Sequence, residues 1–143
     1  MDFSFASAIS AAGMEVERTR LDVAAINLAN IHTSGTQQRG PFKPLRVQVT
    51  GNNSFLNMLS GIEHQGMEAP NVTIQQTVVA PRLVYEPGHP DADVKGYVAY
   101  PGIDTVAEMV NLMTAVRSYE ANVVAMNAAK SMALKALEIG SNA

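Results

Sequence analysis

The two ends of the chain carry long apolar repeats at heptad spacing, and this feature limits the possible folds more than any other. No proline or glycine occurs between Asp104 and Glu138, and a second repeat runs from Phe5 to Ile31, interrupted only by Gly13. An apolar stripe kept over several heptads requires a partner helix. The simplest partner for one terminal helix is the other, so the chain is predicted to close through its two ends.

The residues predicted to pack on these helices form one set on each. They are Ile9, Val16, Leu21, Val23, Ile26, Asn27, Leu28 and Asn30 on the first helix, and Met109, Leu112, Val116, Tyr119, Val123, Met126, Leu134 and Leu137 on the second. Leu21 and Leu28, like Ala125 and Met132, lie away from the main stripes. A helix that is apolar on two sides is buried among several helices, so these four positions are predicted to contact other subunits. The alternative is a loose hairpin whose outer faces are rich in alanine because alanine favours helix.

Asn27 and Asn30 interrupt the apolar stripe near the end of the first helix. They could form a buried polar key that sets helix register, as asparagine does inside coiled coils. Alternatively, their amides could satisfy backbone groups at the helix end. The sequence leaves both interpretations open.

The middle of the chain has the pattern of short strands and turns. Leu45 to Val49 alternates as a half-buried strand does, a second β segment is predicted from Val72 through Tyr85, and Gly96 to Tyr100 forms a last strand. Residues 51–69 are predicted to be a surface loop, with one or two short helical turns through Phe55, Leu59 and Ile62 as the alternative. Asp104 or Thr105 is predicted to be the N-cap of the second helix, and Glu108 lies three residues after Thr105, as in a capping box. The predicted fold class is α+β, with long terminal helices packed as a coiled-coil-like axial domain (1–31 and 104–143) and a small β-rich middle domain (32–103).

Composition excludes several classes of protein. Net charge is −3 with no basic stripe, so the chain is not expected to bind nucleic acid or an anionic membrane. No apolar run is long enough to cross a bilayer, and the first residues lack a cleavable signal. There is no cysteine, which excludes disulfides and thiol chemistry. The absence of cysteine fits any compartment, but the lack of a signal and of a membrane-spanning run, taken alone, predicts residence in the cytosol.

The chain resembles the bacterial flagellar rod and hook proteins. The N-terminal match is Gly13, Arg18-Thr19-Arg20-Leu21 and Asn27-Leu28-Ala29-Asn30 with Thr33, and the second match runs from Arg82 to Asp93 through Pro-Gly-His-Pro-Asp-Ala-Asp. This second block narrows the resemblance to proximal rod subunits, and the run from Glu108 to Leu137 continues it. Residues 51–69 match nothing recognisable.

The resemblance implies a structural subunit of the basal-body proximal rod, in which the terminal helices form the core of a hollow helical assembly used for motility and export. It implies export through the flagellar type III machine without a cleaved signal, which replaces the expectation of cytosolic residence. The implied partners are further copies, other rod and basal-body proteins and the export apparatus, with no cofactor and no small-molecule substrate. Phe5 and Ile9 resemble the short element that early substrates present to the export gate.

An alternative function rests on the loop from Glu86 to Asp93. Glu86, His89, Asp91 and Asp93 stand close together there, as ligands of a metal or residues of a hydrolytic site do. Two prolines flank His89, no second cluster exists, and no nucleophile elbow or phosphate-binding glycine loop occurs. The loop is therefore predicted to be a rigid turn without chemistry. A cytosolic coiled-coil adaptor is a third possibility, which differs from the rod subunit only in its compartment.

Overall fold

The computed structural model of the chain describes residues 3–36, 39–50 and 70–141, with side chains described as far as residue 139. Its elements are α1 (Phe3–Ala29), β1 (Leu45–Thr50), β2 (Asn71–Gln76), β3 (Arg82–Tyr85), β4 (Tyr97–Tyr100) and α2 (Thr105–Ser141). Long helices at both ends and small sheets between them confirm the predicted α+β class. The predicted loop 51–69 lies outside the described residues.

The strands form two separate two-stranded sheets, one from β1 and β2 and the other from β3 and β4. β3 and β4 are antiparallel, with Val84 opposite Val98 and Tyr85 opposite Tyr97. Val98 is fully buried. The second edge of β4 is bridged by Gly35, whose N–H donates to the carbonyl of Ala99 at 3.2 Å. The β3–β4 hairpin is thus covered on one face, at Val98, and bonded on one edge, at Ala99.

The second β segment is shorter than the sequence pattern predicts. β2 ends at Gln76 and β3 begins at Arg82, so residues 77–81 separate two strands that belong to different sheets. Pro81 has no N–H to donate to a ladder, which explains why a strand begins only after it. Thr77 instead donates its N–H to the carbonyl of Pro44 at 2.7 Å.

Asp104 starts the second helix. Its Oδ1 accepts hydrogen bonds from the N–H groups of Val106 at 2.9 Å and Ala107 at 3.3 Å, as an N-cap residue does. The predicted capping box of Thr105 and Glu108 is wrong, because the carboxylate of Glu108 forms an ion pair with Arg46. Burial explains this difference, since a carboxylate taken out of water requires a charged or hydrogen-bonding partner.

The chain divides into two compact units, and each contains part of both helices. Unit 1 consists of Met1–Thr19, Val49–Thr73 and Thr114–Ala143, and unit 2 consists of Arg20–Gln48 and Ile74–Met113. Each unit therefore has helix contacts of its own.

Small residues let the helix segments of unit 1 approach each other closely. A β-carbon at Gly13 would lie only 2.8 Å from Nδ2 of Asn122. Ala115 and Ala129 on α2 and Val16 on α1 are buried. Gly13, which looks like a weak point in a helix pattern, therefore has a packing reason, because glycine allows the contact with Asn122.

Candidate assembly interface

The end of α1 is attached to the start of β1 by a buried asparagine. Asn27 has no exposed surface. Its Nδ2 donates to the carbonyl of Leu45 at 2.9 Å, and its Oδ1 accepts from the N–H of Leu45 at 2.8 Å. One amide thus satisfies both backbone groups of a strand residue, as a neighbouring strand would.

The start of α2 is attached to the next residue of β1. Nη1 of Arg46 lies 3.2 Å from Oε1 of Glu108, whose side chain is only 5% exposed. Both attachments lie within unit 2. Leu45 and Arg46 therefore hold the ends of both terminal helices, and sequence reasoning missed this role because nothing in a strand pattern indicates which helix residues its backbone will meet.

The buried stripe of α2 differs from the predicted one by a small rotation. Its buried or half-buried positions recur at heptad spacing as Glu108, Leu112, Ala115, Asn122, Met126, Ala129 and Ala133. The predicted stripe contained larger side chains at the neighbouring positions Met109, Val116 and Tyr119, and these three are exposed. Large apolar groups are thus left on the outside because small ones occupy the closest contacts.

The predicted packing residues accordingly divide into three groups. Val16, Val23 and Asn27 are buried. Leu21, Leu28, Asn30, Leu112, Val123 and Met126 are half-buried. The exposed group is Ile9, Ile26, Met109, Val116, Tyr119, Leu134 and Leu137, together with Phe5 of the suggested export element. Because Leu21 and Leu28 are half-buried, they are poorer tests of an outer face than exposed residues are.

An outward row on α2 contains apolar residues that the predicted packing sets did not include. Val106, Met113 and Val124 have nearly the same angular position on a helix of 3.6 residues per turn. All three are exposed, Val124 at 67%. Val106 and Met113 belong to unit 2 and Val124 to unit 1. Ala125 and Met132, which the sequence placed on an outer face, are also exposed.

Asn30 differs from Asn27 although both belong to the same short motif. Its Nδ2 donates to the carbonyl of Ile26 at 2.8 Å, and its Oδ1 accepts from the hydroxyl of Thr33 at 3.1 Å. Asn30 thus makes local contacts at the helix end, while Asn27 makes a contact across eighteen positions of sequence.

The polar groups of the Glu86–Asp93 loop are engaged in holding the loop itself. Asp91 accepts from the hydroxyl of Ser34 at 2.6 Å, and Asp93 Oδ1 accepts from the N–H groups of Lys95 and Tyr97. His89 Nδ1 accepts from the N–H of Asp91 at 3.1 Å. Within the part of the chain that the structure describes, no group of three acidic or histidine side chains is arranged to hold a metal ion. These bonds account for the cluster as a folded turn.

One consequence concerns the pH at which Tyr100 loses its proton. The Tyr100 hydroxyl donates to Oε2 of Glu86 at 2.9 Å, and this bond to a carboxylate raises the pKa of Tyr100 above its ordinary value of 10.0. Because the pKa is higher in the folded state, the stabilisation is present below pH 10 and is lost as the pH rises through the folded pKa. In a tyrosinate absorbance titration, Glu86→Gln should move one transition to lower pH. Tyr100→Phe should remove that transition, and an unchanged Glu86→Gln curve would contradict the assignment.

A second consequence concerns His89. We expect His89→Asn to leave swimming motility intact, because the asparagine Oδ1 can accept the hydrogen bond that Nδ1 accepts from Asp91. His89→Leu lacks this acceptor and should loosen the turn, which makes it the contrasting variant. Swimming rates in soft agar decide the matter, with rod assembly checked in parallel. A His89→Asn chain that assembles normally but does not support swimming would indicate a chemical role for the imidazole.

Known proteins similar to this chain are named as flagellar rod proteins. Residues 94–139 match the family model described as "Flagellar basal body rod FlgEFG protein C-terminal". The Bacillus subtilis flagellar basal-body rod protein FlgC is 40% identical, over 92% of this chain and 94% of its own length. The proteins of the same name from Escherichia coli O157:H7 and Aquifex aeolicus are 41% and 36% identical, with similar coverage. No helix among the described residues is long and apolar enough to span a membrane.

Proposed function

Because this chain belongs to the family of flagellar basal-body rod proteins FlgC, and is therefore a structural subunit of the rod, we propose that it polymerises through its two terminal helices. In this proposal α1 and α2 form the core of a hollow proximal rod, and their outward faces contact helices of neighbouring copies and of other rod proteins. The chain does no chemistry and takes no cofactor. The alternative metal or hydrolytic function has no observation in its favour.

The observation that carries the proposal is the exposed apolar row on α2. Val106, Met113 and Val124 repeat on one side of a helix whose opposite side is already buried by its own chain. Burying one such side chain contributes about 1.5–3 kcal/mol, so a row of them repeated at every subunit contact is a large driving force. An enzyme or a monomeric binding module would leave this driving force unused.

The distribution of buried small residues supports the same proposal. Ala115, Ala129 and Gly13 fill the close contacts within the chain, and the larger methionine and valine side chains remain available for contacts between chains. If assembly did not use the outer side of α2, the large apolar side chains would be expected in the buried stripe and the small ones outside.

The remaining parts of the proposal concern location and partners. The subunit acts in the basal body, and we propose that it reaches the rod through the flagellar export apparatus without a cleaved signal. Phe5 and Ile9 are exposed on α1, which makes them accessible to an export receptor. Substituting both by serine should retain the chain in the cytosol, whereas Ala8→Ser, at an exposed position between them, should not.

The experiment that tests the function is fractionation of flagellar basal bodies. A chain with a small epitope tag in its host should be recovered with the purified rod and hook, and deletion of its gene should abolish rods and swimming. A deletion strain with intact rods, or a tagged functional chain found only in the cytosol, would overturn the proposal.

A further inference from the structure

Two features of unit 2 have complementary shapes. The first is the turn from Glu86 to Gly96, which carries Val94, the most exposed large apolar side chain among the residues that the structure describes, at 99%. The second is a cleft of about 150 Å³ whose apolar walls come from Pro41, Phe42, Val78, Val79, Pro81 and Pro101. At roughly 30 Å³ per water, the cleft has room for about five waters, which is enough for a valine side chain.

The turn holds Val94 in a fixed position. Asp93 Oδ1 accepts from the N–H of Lys95 and of Tyr97, both at 2.8 Å, and the N–H of Gly96 donates to the carbonyl of Asp93 at 2.9 Å. Gly96 has a φ of +82°, which closes the turn and which residues with a side chain rarely adopt. A side chain presented by an ordered turn loses little conformational entropy when it binds, so Val94 is prepared for contact.

The two features also have opposite charges. Residues 86–95 contain Glu86, Asp91 and Asp93 against one lysine, and residues 39–46 contain three cations and no acid. Of those cations, Arg46 pairs with Glu108, while Arg39 and Lys43 are exposed and make no ion pair with any residue that the structure describes. Lys43 lines the cleft and gives it a positive charge, and Arg39 precedes the lining residue Gly40, whereas the turn that carries Val94 is negative.

We infer that Val94 of one copy of this chain inserts into the proline-lined cleft of the next copy. Val94 is almost fully exposed, so it does not occupy the cleft of its own chain. A contact between two different surfaces of the same molecule is heterologous, and repeating it produces a ring or a helical array rather than a two-fold dimer. The inference rests on the proposed function, because only a polymer can repeat such a contact, and it adds a second contact outside the helices.

The absence of cysteine from the chain permits a direct test by disulfide cross-linking. Val94→Cys and Val78→Cys change exposed residues, so neither should disturb the fold. In cells that assemble rods, the double variant should give a ladder of multimers under mild oxidation. Co-expressed single variants should give dimers only, and each single variant alone should give none. Asp22→Cys with Val78→Cys is the control for random collision.

A pair of substitutions at Lys43 tests whether opposite charges contribute to this contact. In the double cysteine background, Lys43→Glu should reduce the ladder several-fold, while Lys43→Arg should preserve it. A photo-reactive amino acid at position 94 should give an adduct of twice the subunit mass.

Three results would overturn the inference: dimers of Val94→Cys alone, which indicate a two-fold contact; adducts with a different rod protein; or swimming cells with intact rods and no ladder. Intact rods without a ladder would contradict only the contact through Val94 and would leave the proposed rod function standing. A chain that never leaves the cytosol would contradict the proposed rod function.

Discussion

Asn27→Leu should lower the free energy of unfolding by about 2–6 kcal/mol, because it leaves the N–H and the carbonyl of Leu45 without their partner and each buried orphan costs about 1–3 kcal/mol. Leucine has the branching of asparagine and leaves no cavity, but its larger volume adds a packing cost to the loss of the hydrogen bonds. For a domain whose total stability is about 5–15 kcal/mol, this is a large fraction. Urea denaturation of the purified full chain, followed by circular dichroism, measures it.

The matched control is Asn30→Ala, at the second asparagine of the same motif. Asn30 bonds to the neighbouring turn and is partly exposed, so its removal should cost no more than about 1 kcal/mol. Equal decreases in the free energy of unfolding for the two variants would show that the hydrogen bonds from Asn27 to β1 stabilise the fold no more than the local bonds of Asn30 do.

Met113→Glu or Val124→Glu should abolish swimming while changing the stability of the isolated chain by less than about 0.5 kcal/mol, the usual range for exposed substitutions. Both side chains are exposed in the single chain, so glutamate there meets water. In the proposed rod the same carboxylate would be removed from water at every subunit contact, and this desolvation costs several kcal/mol per ion. Swimming in soft agar, with rods counted by electron microscopy, measures the effect.

Two controls separate assembly from other failures. Met113→Leu keeps an apolar side chain of similar volume and should swim normally. The exported amount of each glutamate variant must also equal that of the parent chain, since a retained subunit would give the same phenotype. Normal rods with glutamate at both positions would show that this face of α2 meets solvent, and the helical contact would have to lie elsewhere.

The helices were predictable because their cause is local. A run of 37 residues from Thr105 to Ser141 without proline, with apolar residues at heptad spacing, has no competing regular structure. The same holds for α1, and the alternation at Leu45 to Val49 was sufficient to predict β1. The break at 77–81 was missed because hydrophobic β-branched residues such as Val78 and Val79 suggest a strand regardless of whether a ladder partner is available.

The motif residues Asn27-Leu28-Ala29-Asn30 and the Pro-Gly-His-Pro-Asp-Ala-Asp block were sufficient to indicate the family of the chain from sequence alone. They could not show what Asn27 does. Of the two interpretations that the sequence leaves open, the local one describes Asn30. Asn27 is buried, as the first interpretation requires, but it bonds to a strand residue eighteen positions away and not across a pair of helices. A side-chain amide has the same donors and acceptors in every setting, so its partner depends on which backbone the fold brings to it.

The sequence by itself determined the lengths of the helices, the α+β class and the family, because these depend on periodicity and on residue identity. The tertiary structure alone decided how far the buried stripe of α2 is rotated from the predicted one. Neighbouring positions on this helix are both apolar, and hydropathy does not distinguish them. The choice depends on how closely two helices can approach, which Gly13, Ala115 and Ala129 permit and which Met109 and Val116 would prevent. The partner of Glu108 was likewise decided by burial, because a carboxylate removed from water is stabilised by a nearby cation such as Arg46.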